Sequence, residues 1–337
     1  AWLSFGRSAL GAAIDIAGPS TTGRVALPSY MCSSVIDVAV GRGSTVDFYP
    51  LNADLSPKED DLIELARRAG VVLLCPYFGA AGLTEKLRKL GRRLVALPER
   101  PWVIEDWATA FPHPETMTHC DFTFYSLRKI YPVPDGAPLV AHSDRAREAL
   151  AGWKKADREQ PTGVLGDILR QRVSAKVKRH HWLATRPLKD DPNDNGLSES
   201  LASESLIDKL PGNQSPIGSA SSASYILNRD LTRDRDTVST LAQKMIGALA
   251  EVRGFEFPLR DCTGIAVPLL IKNRGAFRSA ARAEGVFLPA HWPKAKSVPT
   301  GAPIDRWYAS ELSLPSMPSQ PAKDIDIMIK RLTSLAQ

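Results

Sequence analysis

Apolar and polar residues along the first 140 positions predict strands and helices in alternation. Short apolar runs predict buried strands, because a strand covered on both faces has no polar side; these are Arg24–Pro28, Ser44–Tyr49, Val71–Cys75, Arg93–Leu97 and Trp102–Glu105. Apolar residues at helical spacing predict helices at Ser8–Ala17, Ser33–Val40, Pro57–Ala69 and Leu83–Leu90. Such alternation is typical of an α/β protein with a parallel sheet.

The pattern changes after Pro138, where longer helical stretches predominate. We predict helices at Ser143–Lys155, Gly163–Trp182, most of Ser219–Val252, Gly275–Ala283 and Pro321–Leu335, and strands at Gly264–Ile271, Gly285–Pro289 and Tyr308–Leu314. Residues 187–216 are rich in Pro, Asn, Asp, Ser and Gly, which favours a linker or long surface loop. We therefore expect a large domain over residues 1–205 and a smaller α+β domain over residues 206–337.

Composition narrows the class of protein. The 337 residues carry 43 Lys and Arg against 37 Asp and Glu, a net charge of +6 that does not by itself imply nucleic acid. Four scattered cysteines without a C-x-x-C pair argue against a disulfide scaffold or a zinc ribbon. No apolar run approaches the roughly 18 residues that span a bilayer, and the first residues do not resemble a secretory signal. We expect a soluble, cytoplasmic protein that binds neither membrane nor nucleic acid.

Polar groups follow two of the predicted strands, at the sheet edge where ligands of α/β proteins bind. The strand Val103-Ile-Glu-Asp ends in Asp106, whose carboxylate could hold a proton on a ring nitrogen. Asp is also a preferred helix N-cap, and taken alone that alternative is favoured.

A second polar segment is the run Phe122-Thr-Phe-Tyr-Ser-Leu-Arg-Lys. It places Ser126, Arg128 and Lys129 beyond a strand, and a lysine beside an arginine is a candidate for a lowered pKa and Schiff-base chemistry. A solvated basic strand end is the commoner alternative. The turn Pro132–Ala137 follows at once and could fix the lysine. Ser126 and Lys129 also fit the S-x-x-K of serine acyl-enzymes, but that class's S-D-N and K-T-G partners are absent.

A third segment, Gly6-Arg7-Ser8, opens a predicted helix, and free N–H groups with the helix dipole suit a phosphate there. Simple capping is the alternative. The sequence has no G-x-S-x-G elbow, and its six histidines show no metal-binding spacing, so no metal site is predicted. The basic run Lys176–Trp182 is better explained as a solvated helix face than as a phosphate contact.

In this order, the segments resemble a fold type I pyridoxal-phosphate enzyme of the DegT/DnrJ/EryC1/StrS aminotransferase family, over nearly the whole chain. The resemblance rests on GRSAL, LPSYMCSSV, VDFY with the following NAD, VIED, YSLRK and the closing LSLPSMPSQPAKDIDIMIKRL. It implies a large domain with a mainly parallel central sheet flanked by helices, and a smaller C-terminal α+β domain. The implied cofactor is pyridoxal 5'-phosphate.

The resemblance also implies roles for single residues. Lys129 would form the Schiff base and move protons, and Asp106 would keep the pyridine nitrogen protonated. The implied phosphate ligands are Gly6, Arg7, Ser8 and Ser126. Tyr30, Cys32 and Thr109 would lie near the cofactor ring, with Trp107 as another stacking candidate. Cys32 and Thr109 stand where the family commonly has other residues.

The implied activity is transfer of an amino group from an amino acid such as glutamate to a keto-sugar or other small keto acceptor in a biosynthetic pathway. A different reaction at Cα or Cβ (elimination, decarboxylation or retro-aldol cleavage) and a catalytically silent homologue are the alternatives. The family forms homodimers with shared sites, and Gly218–Ser222 is our candidate for the loop that reaches the partner. We expect acceptor specificity in residues 187–222 and 290–303.

Overall fold

A computed structural model of the chain describes residues 1–18, 23–112, 119–154, 164–185 and 217–337, together with positions 202 and 206. Its centre is a seven-stranded sheet in the order β1-β7-β6-β5-β4-β2-β3. The strands are β1 (Trp2–Leu3), β2 (Arg24–Pro28), β3 (Thr45–Tyr49), β4 (Val71–Leu74), β5 (Trp102–Asp106), β6 (Phe122–Phe124) and β7 (Ala137–Ala141). Strands β2 to β6 pair in parallel, whereas β7 is antiparallel to both of its neighbours. The predicted α/β class with a mainly parallel sheet is confirmed.

The register of the parallel strands brings three chain segments to one edge. Leu74 pairs with Glu105, and Asp106 pairs with Phe124. The residues that follow β4, β5 and β6 therefore leave the sheet side by side. The buried apolar residues of these strands hold this register, because a slip by one residue would turn each side chain to the opposite face.

Eleven helices are described. They are α1 (Gly6–Ala17), α2 (Ser33–Val40), α3 (Glu59–Ala66), α4 (Ala81–Val95), α5 (Asp144–Lys154), α6 (Val164–Thr185), α7 (Ala220–Leu227), α8 (Leu231–Leu249), α9 (Arg274–Ala283), α10 (Ile304–Ser310) and α11 (Ala322–Leu335). Helix α1 has small buried residues on most of its surface (Ala9, Ala12 and Ala13). It can therefore lie close against β5, β6 and β7, which it contacts.

A second sheet is antiparallel, in the order β10-β9-β8, with β8 (Phe255–Glu256), β9 (Ala266–Ile271) and β10 (Glu311–Pro315). It meets the first sheet through the bridge between Ala110 and Gly264 and through the bond from the Trp307 indole to the carbonyl of Ala53, at 2.9 Å. The domain boundary at 205/206 stays a prediction. The predicted loop 187–216 lies outside the described residues except for positions 202 and 206.

Three predicted elements are wrong. The strand predicted at Arg93–Leu97 is absent because α4 continues to Val95, its buried residues Leu83, Leu87, Leu90 and Leu94 forming one face. Residues Gly285–Pro289 form no strand, although the Ser313 N–H donates to the carbonyl of Pro289. The strand predicted from Tyr308 begins only at Glu311, because α10 occupies the preceding residues.

Two general findings concern the described ranges. No helix there combines the length and apolar character needed to cross a bilayer. All four cysteines lie in these ranges, and none of them forms a disulfide.

Candidate active site

Lys129 ends a single helical turn, Leu127–Lys129, that follows β6 directly. The Lys129 N–H donates to the carbonyl of Ser126 at 2.9 Å, and the Leu127 N–H donates to the carbonyl of Gly136, also at 2.9 Å. The second bond ties the turn to the Pro132–Ala137 segment. The backbone carrying Lys129 is thus held at both ends, which supports the prediction that this segment fixes the lysine.

Asp106 is the last residue of β5, the strand beside β6. Burial raises the pKa of its carboxyl group, and the nearby Lys129 lowers it, the net direction being upward. Its Oδ1 accepts a hydrogen bond from the Ala108 N–H at 2.8 Å. This is the local bond expected of an N-cap, yet no helix begins within residues 107–112. The carboxylate therefore lies near the lysine at the sheet edge rather than at a helix start.

The first turn of α1 lies against Ser126. A Cβ atom placed on Gly6 would be 3.5 Å from the Cβ of Ser126, and the side chains of Ser8 and Ser126 are both buried. The N-cap residue is Phe5, which has no side-chain oxygen to cap the helix, and the first turn contains no acid. The Arg128 guanidinium lies 5.8 Å from the centroid of the Phe5 ring. Helix N–H groups, hydroxyls and cations thus come together, as a phosphate requires.

These groups fit pyridoxal 5'-phosphate at its polar positions. The start of α1 with Arg7, Ser8 and Ser126 offers donors for the phosphate, and the Lys129 amine can react with an aldehyde. The half-buried Asp106 carboxylate is an acceptor for a protonated ring nitrogen. The fit rests on the chemistry of these side chains and on their positions at the start of α1 and at the ends of the neighbouring strands β5 and β6.

Tyr30 lies in an aromatic cluster of five residues. Its ring centroid is 4.9 Å from that of Tyr308 and 5.1 Å from that of Trp292, and Tyr77 and Trp307 complete the cluster. The Tyr30 hydroxyl donates to the carbonyl of His291 at 2.5 Å, and its side chain is fully buried. The Tyr30 ring therefore packs against residues 292 and 307–308 of the C-terminal part of the chain, and its predicted place near the cofactor ring stays a prediction.

Cys32, which stands where the family commonly has its stacking aromatic, and Trp107, the other stacking candidate, occupy different sites. Cys32 is the N-cap residue of α2, and its Sγ lies 3.0 Å from the hydroxyl of Ser34. Trp107 follows Asp106, is almost fully buried, and donates from its indole N–H to Glu105 at 2.9 Å. The indole is thereby held on the side of β5 that Glu105 faces.

Thr109 lies at the junction of the two sheets. Its Oγ1 accepts a hydrogen bond from the Phe78 N–H at 3.3 Å, and its carbonyl accepts one from the Ile265 N–H at 3.1 Å. Phe78 has a φ of 56°, an uncommon conformation for a residue other than glycine. The loop after β4 and the loop after β5 are joined here to the second sheet.

His291 is a candidate that sequence reasoning missed. Its Nδ1 lies 2.6 Å from the Ser313 hydroxyl, which donates to Glu311 at 2.6 Å, so Nδ1 carries the proton that Ser313 accepts. The other carboxylate oxygen of the fully buried Glu311 accepts the His291 N–H. The imidazole packs edge-on against Phe78, 5.9 Å between centroids. The sequence analysis expected acceptor specificity in residues 290–303, but no motif in the sequence connects His291 with Glu311.

The segment Gly218–Ser222 is bound within its own chain. Asp135 accepts hydrogen bonds from the Ser219 N–H and hydroxyl, each at 2.7 Å, and from the Ser222 hydroxyl at 2.5 Å. A Cβ on Gly218 would clash with the Trp2 indole, at 2.5 Å. Its predicted contact with a partner subunit stays a prediction.

Two further sequence hypotheses concern other parts of the chain. Lys176–Trp182 falls in α6, but most of its side chains lie outside the described residues. Within the described ranges, no cluster of three or more His, Cys, Asp or Glu residues is placed to hold a metal ion.

Solved structures with a similar fold include several aminotransferases, among them the sugar aminotransferase CalS13 from Micromonospora echinospora. DesV of S. venezuelae, solved in complex with a ketimine intermediate, is similar with a TM-score of 0.65 and 15% identity, over 100% of this chain and 84% of DesV. A DegT DnrJ EryC1 StrS aminotransferase from Brucella abortus is similar with a TM-score of 0.61 and 15% identity, over 99% of this chain and 84% of that protein. The protein ntda from Bacillus subtilis, with bound cofactor PMP, is similar with a TM-score of 0.64 and 13% identity, over 99% of this chain and 72% of ntda. No family model and no curated protein matches the sequence.

At 13–15% identity, the similarity to these structures establishes the fold of the chain. The chain has the fold of fold type I aminotransferases, as the resemblance to the DegT/DnrJ/EryC1/StrS family predicted, and the match extends over essentially all of its length.

Proposed function

We propose that the chain is a pyridoxal-phosphate-dependent aminotransferase that moves an amino group from an amino-acid donor to a keto-sugar or a similar small keto acceptor. The observation that carries the proposal is the meeting of Lys129, Asp106 and the start of α1 at one sheet edge. Lysine, carboxylate and phosphate donors are the groups that this cofactor needs. The solved aminotransferases of the same fold support it, one of them with bound cofactor PMP.

The residues divide the work between binding and proton movement. The first turn of α1 with Ser126 anchors the phosphate, and Asp106 holds a proton at the ring nitrogen. When bound, the cofactor supplies an electron sink for the substrate carbon. Lys129 would act as the base that takes up and delivers the substrate's proton, and the turn 127–129 holds the backbone from which its amine extends.

The first test is covalent trapping on Lys129. The purified chain incubated with pyridoxal phosphate should absorb visible light, and borohydride should link the cofactor to Lys129. Lys129→Ala should abolish the linkage and lower the rate of amino transfer by about 10²-fold or more, whereas the exposed Lys89→Ala should leave both unchanged. A protein that takes up no pyridoxal phosphate would refute the proposal.

Glutamate separates transamination from other reactions of the cofactor. Transamination predicts conversion of the bound pyridoxal phosphate to pyridoxamine phosphate when glutamate is added alone. Cofactor that stays unconverted with every amino donor would favour elimination, decarboxylation or retro-aldol cleavage. Bound cofactor without any turnover would favour a silent homologue.

We also propose that the chain forms a homodimer with domains at 1–205 and 206–337. The helix α7, which follows the Gly218–Ser222 segment, exposes Leu227 to 85% and Tyr225 to 39%. Leu227 is the most exposed large apolar side chain among the described residues, and with Tyr225 it supplies the apolar contact that we assign to the partner subunit.

A further inference from the structure

The segment that follows Lys129 is anchored by the side chain of Tyr131. The Tyr131 N–H donates to the carbonyl of Leu127 at 2.8 Å, so Tyr131 closes the turn that carries Lys129. Its phenol hydroxyl donates to Oδ2 of Asp234, in the first turn of α8, at 2.9 Å. This bond joins positions that are 103 residues apart in the chain. The Tyr131 side chain therefore ties the lysine turn to an element from the C-terminal part of the chain.

The acceptor of this bond is a buried carboxylate that is paired with an arginine. Asp234 is only 6% exposed, and Arg229 donates to both of its carboxylate oxygens, at 3.0 Å and 2.5 Å. A bidentate arginine fixes a carboxylate in position and in orientation. Burial, and with it the bond to Asp234, raises the pKa of the Tyr131 hydroxyl, which therefore keeps its proton and acts as the donor.

The ring of Tyr131 is enclosed by aromatic neighbours from two other segments. Phe111, which follows β5 and Asp106 in the chain, packs edge-on against it with 6.0 Å between centroids. Tyr225 of α7 also packs edge-on, with 6.2 Å between centroids, and the Tyr131 side chain is almost fully buried. Because a closely packed ring cannot turn without disturbing its neighbours, the hydroxyl is kept directed at Asp234.

Helix α7 supports the same loop near both of its ends. At the start of α7, the buried Asp135 accepts hydrogen bonds from the N–H and the hydroxyl of Ser219, the N-cap residue. Towards its other end, Tyr225 packs on the Tyr131 ring. Tyr131 and Asp135 both belong to the loop between the lysine turn and β7, so this loop is bound to α7 at two points.

We propose that Tyr131 is a positioning residue for amino transfer, and that its bond to Asp234 fixes the direction in which the Lys129 amine leaves its turn. This inference rests on the proposed function. Asp234 holds the Tyr131 hydroxyl, and the Tyr131 N–H holds the carbonyl of Leu127, two residues before Lys129. The lysine side chain is a flexible four-carbon stem, so its amine is placed only as well as the backbone that carries it. A displacement of about 1 Å can cost about 10²-fold in rate.

The first measurement is amide hydrogen exchange in the full chain before cofactor is added. Tyr131→Phe removes the hydroxyl and keeps the ring, so the amides at positions 127 and 131 should exchange about 10-fold faster or more. Tyr49→Phe is the matched control, because the Tyr49 hydroxyl is also buried and donates to the carbonyl of Leu73 at 2.6 Å. Tyr49 ends β3, the edge strand that β2, β4 and β5 separate from β6. The control should leave exchange at both positions within about 2-fold of the wild type.

The second measurement is the steady-state rate of amino transfer with pyridoxal phosphate bound. Tyr131→Phe should lower kcat about 10-fold and leave the KM of the amino donor within about 2-fold, because the bond places the lysine amine and not the substrate. Asp234→Ala should lower kcat similarly, and the double variant should be no slower than either single variant, because both substitutions remove the same bond. Tyr49→Phe should keep the wild-type kcat.

Two results would overturn the proposal. Wild-type exchange at positions 127 and 131 in Tyr131→Phe would show that the hydroxyl does not hold the turn. Faster exchange with an unchanged kcat would show that the bond stabilises the loop without positioning Lys129. Tyr131→Phe decides both points even if Asp234→Ala fails to fold. Failure of the chain to take up pyridoxal phosphate would refute the proposed function, and its visible absorbance reports that separately from the exchange measurement, which needs no cofactor.

Discussion

Glu105 and Asp106 are neighbours in the chain, but β5 turns their side chains to opposite faces, and the two surroundings give them different chemistry. Burial raises the pKa of Asp106 as well, but the nearby Lys129 cation opposes that rise. Glu105 is 2% exposed, and burial raises the pKa of its carboxyl group to about 8, although the Trp107 bond and Arg88 act in the opposite direction. Asp106 is suited to the active site, whereas Glu105 is a buried group that keeps its proton near neutral pH.

Glu105 makes the stability of the fold depend on pH. Its pKa rises from 4.5 to about 8 on folding, so between these values the native state holds a proton that the unfolded state has released. The free energy of unfolding should therefore fall as pH rises from 5 to 8, by up to about 1.4 kcal/mol per pH unit from this group. Glu105→Gln should flatten this slope in urea unfolding measured at several pH values.

Glu105→Gln separates ionisation from hydrogen bonding, because glutamine keeps an oxygen that accepts from the Trp107 indole but cannot ionise. A flatter slope in this variant is therefore due to the lost ionisable group. Equal slopes in the wild type and Glu105→Gln would show that Glu105 ionises in the native state near its ordinary pKa.

At the scale of elements, the close approach of two loops to β9 depends on one glycine. A Cβ on Gly264 would lie 2.2 Å from the carbonyl oxygen of Thr109 and 2.5 Å from that of Phe78. Both contacts are with backbone, which cannot move aside cheaply. The absence of a side chain at this position allows the loops after β4 and β5 to meet the second sheet.

We therefore expect Gly264→Ala to lower the free energy of unfolding by about 1–3 kcal/mol, as overpacking does elsewhere. Gly247→Ala is a matched control, because Gly247 lies inside α8 with nothing within 4 Å of its added Cβ. That variant should gain about 0.5–1 kcal/mol from the better helix propensity of alanine. Urea unfolding measures both, and equal stabilities of the two variants would contradict the assignment of a close contact to Gly264.

Helices and strands were predicted with the right bounds where the sequence fitted only one hydrophobic periodicity. The strand Arg24–Pro28 and the helix Ser33–Val40 were predicted with the bounds that the structure shows. The apolar run Leu94–Leu97 was ambiguous, because a short apolar run fits a strand and also the last turn of a buried helix. The leucines of α4 decide it, since Leu94 continues the face that Leu83, Leu87 and Leu90 bury.

At the scale of the whole molecule, Leu227 is the most exposed large apolar side chain of the described residues, at 85%. Leu227→Asp should convert the proposed dimer to monomers in sedimentation experiments, weakening association at least 10-fold, because a charge there would be buried against the partner. Ile327→Asp is the matched control, since Ile327 is 42% exposed on α11. A wild-type chain that sediments as a monomer at all concentrations would contradict the dimer, and a dimer unaffected by Leu227→Asp would place its interface elsewhere.

The sequence by itself determined the alternation of elements, the mainly parallel sheet and the strand ends that carry Asp106 and Lys129, because each depends on local periodicity and on residue chemistry. Only the tertiary structure decided which distant residues contact each other. Gly6 lies against Ser126, His291 binds Glu311 and Ser313, and Ser29 lies opposite the loop 299–304. These contacts join residues far apart in sequence. Their geometry is set by packing and by the pairing of buried polar groups, which leave no periodic signal in the chain.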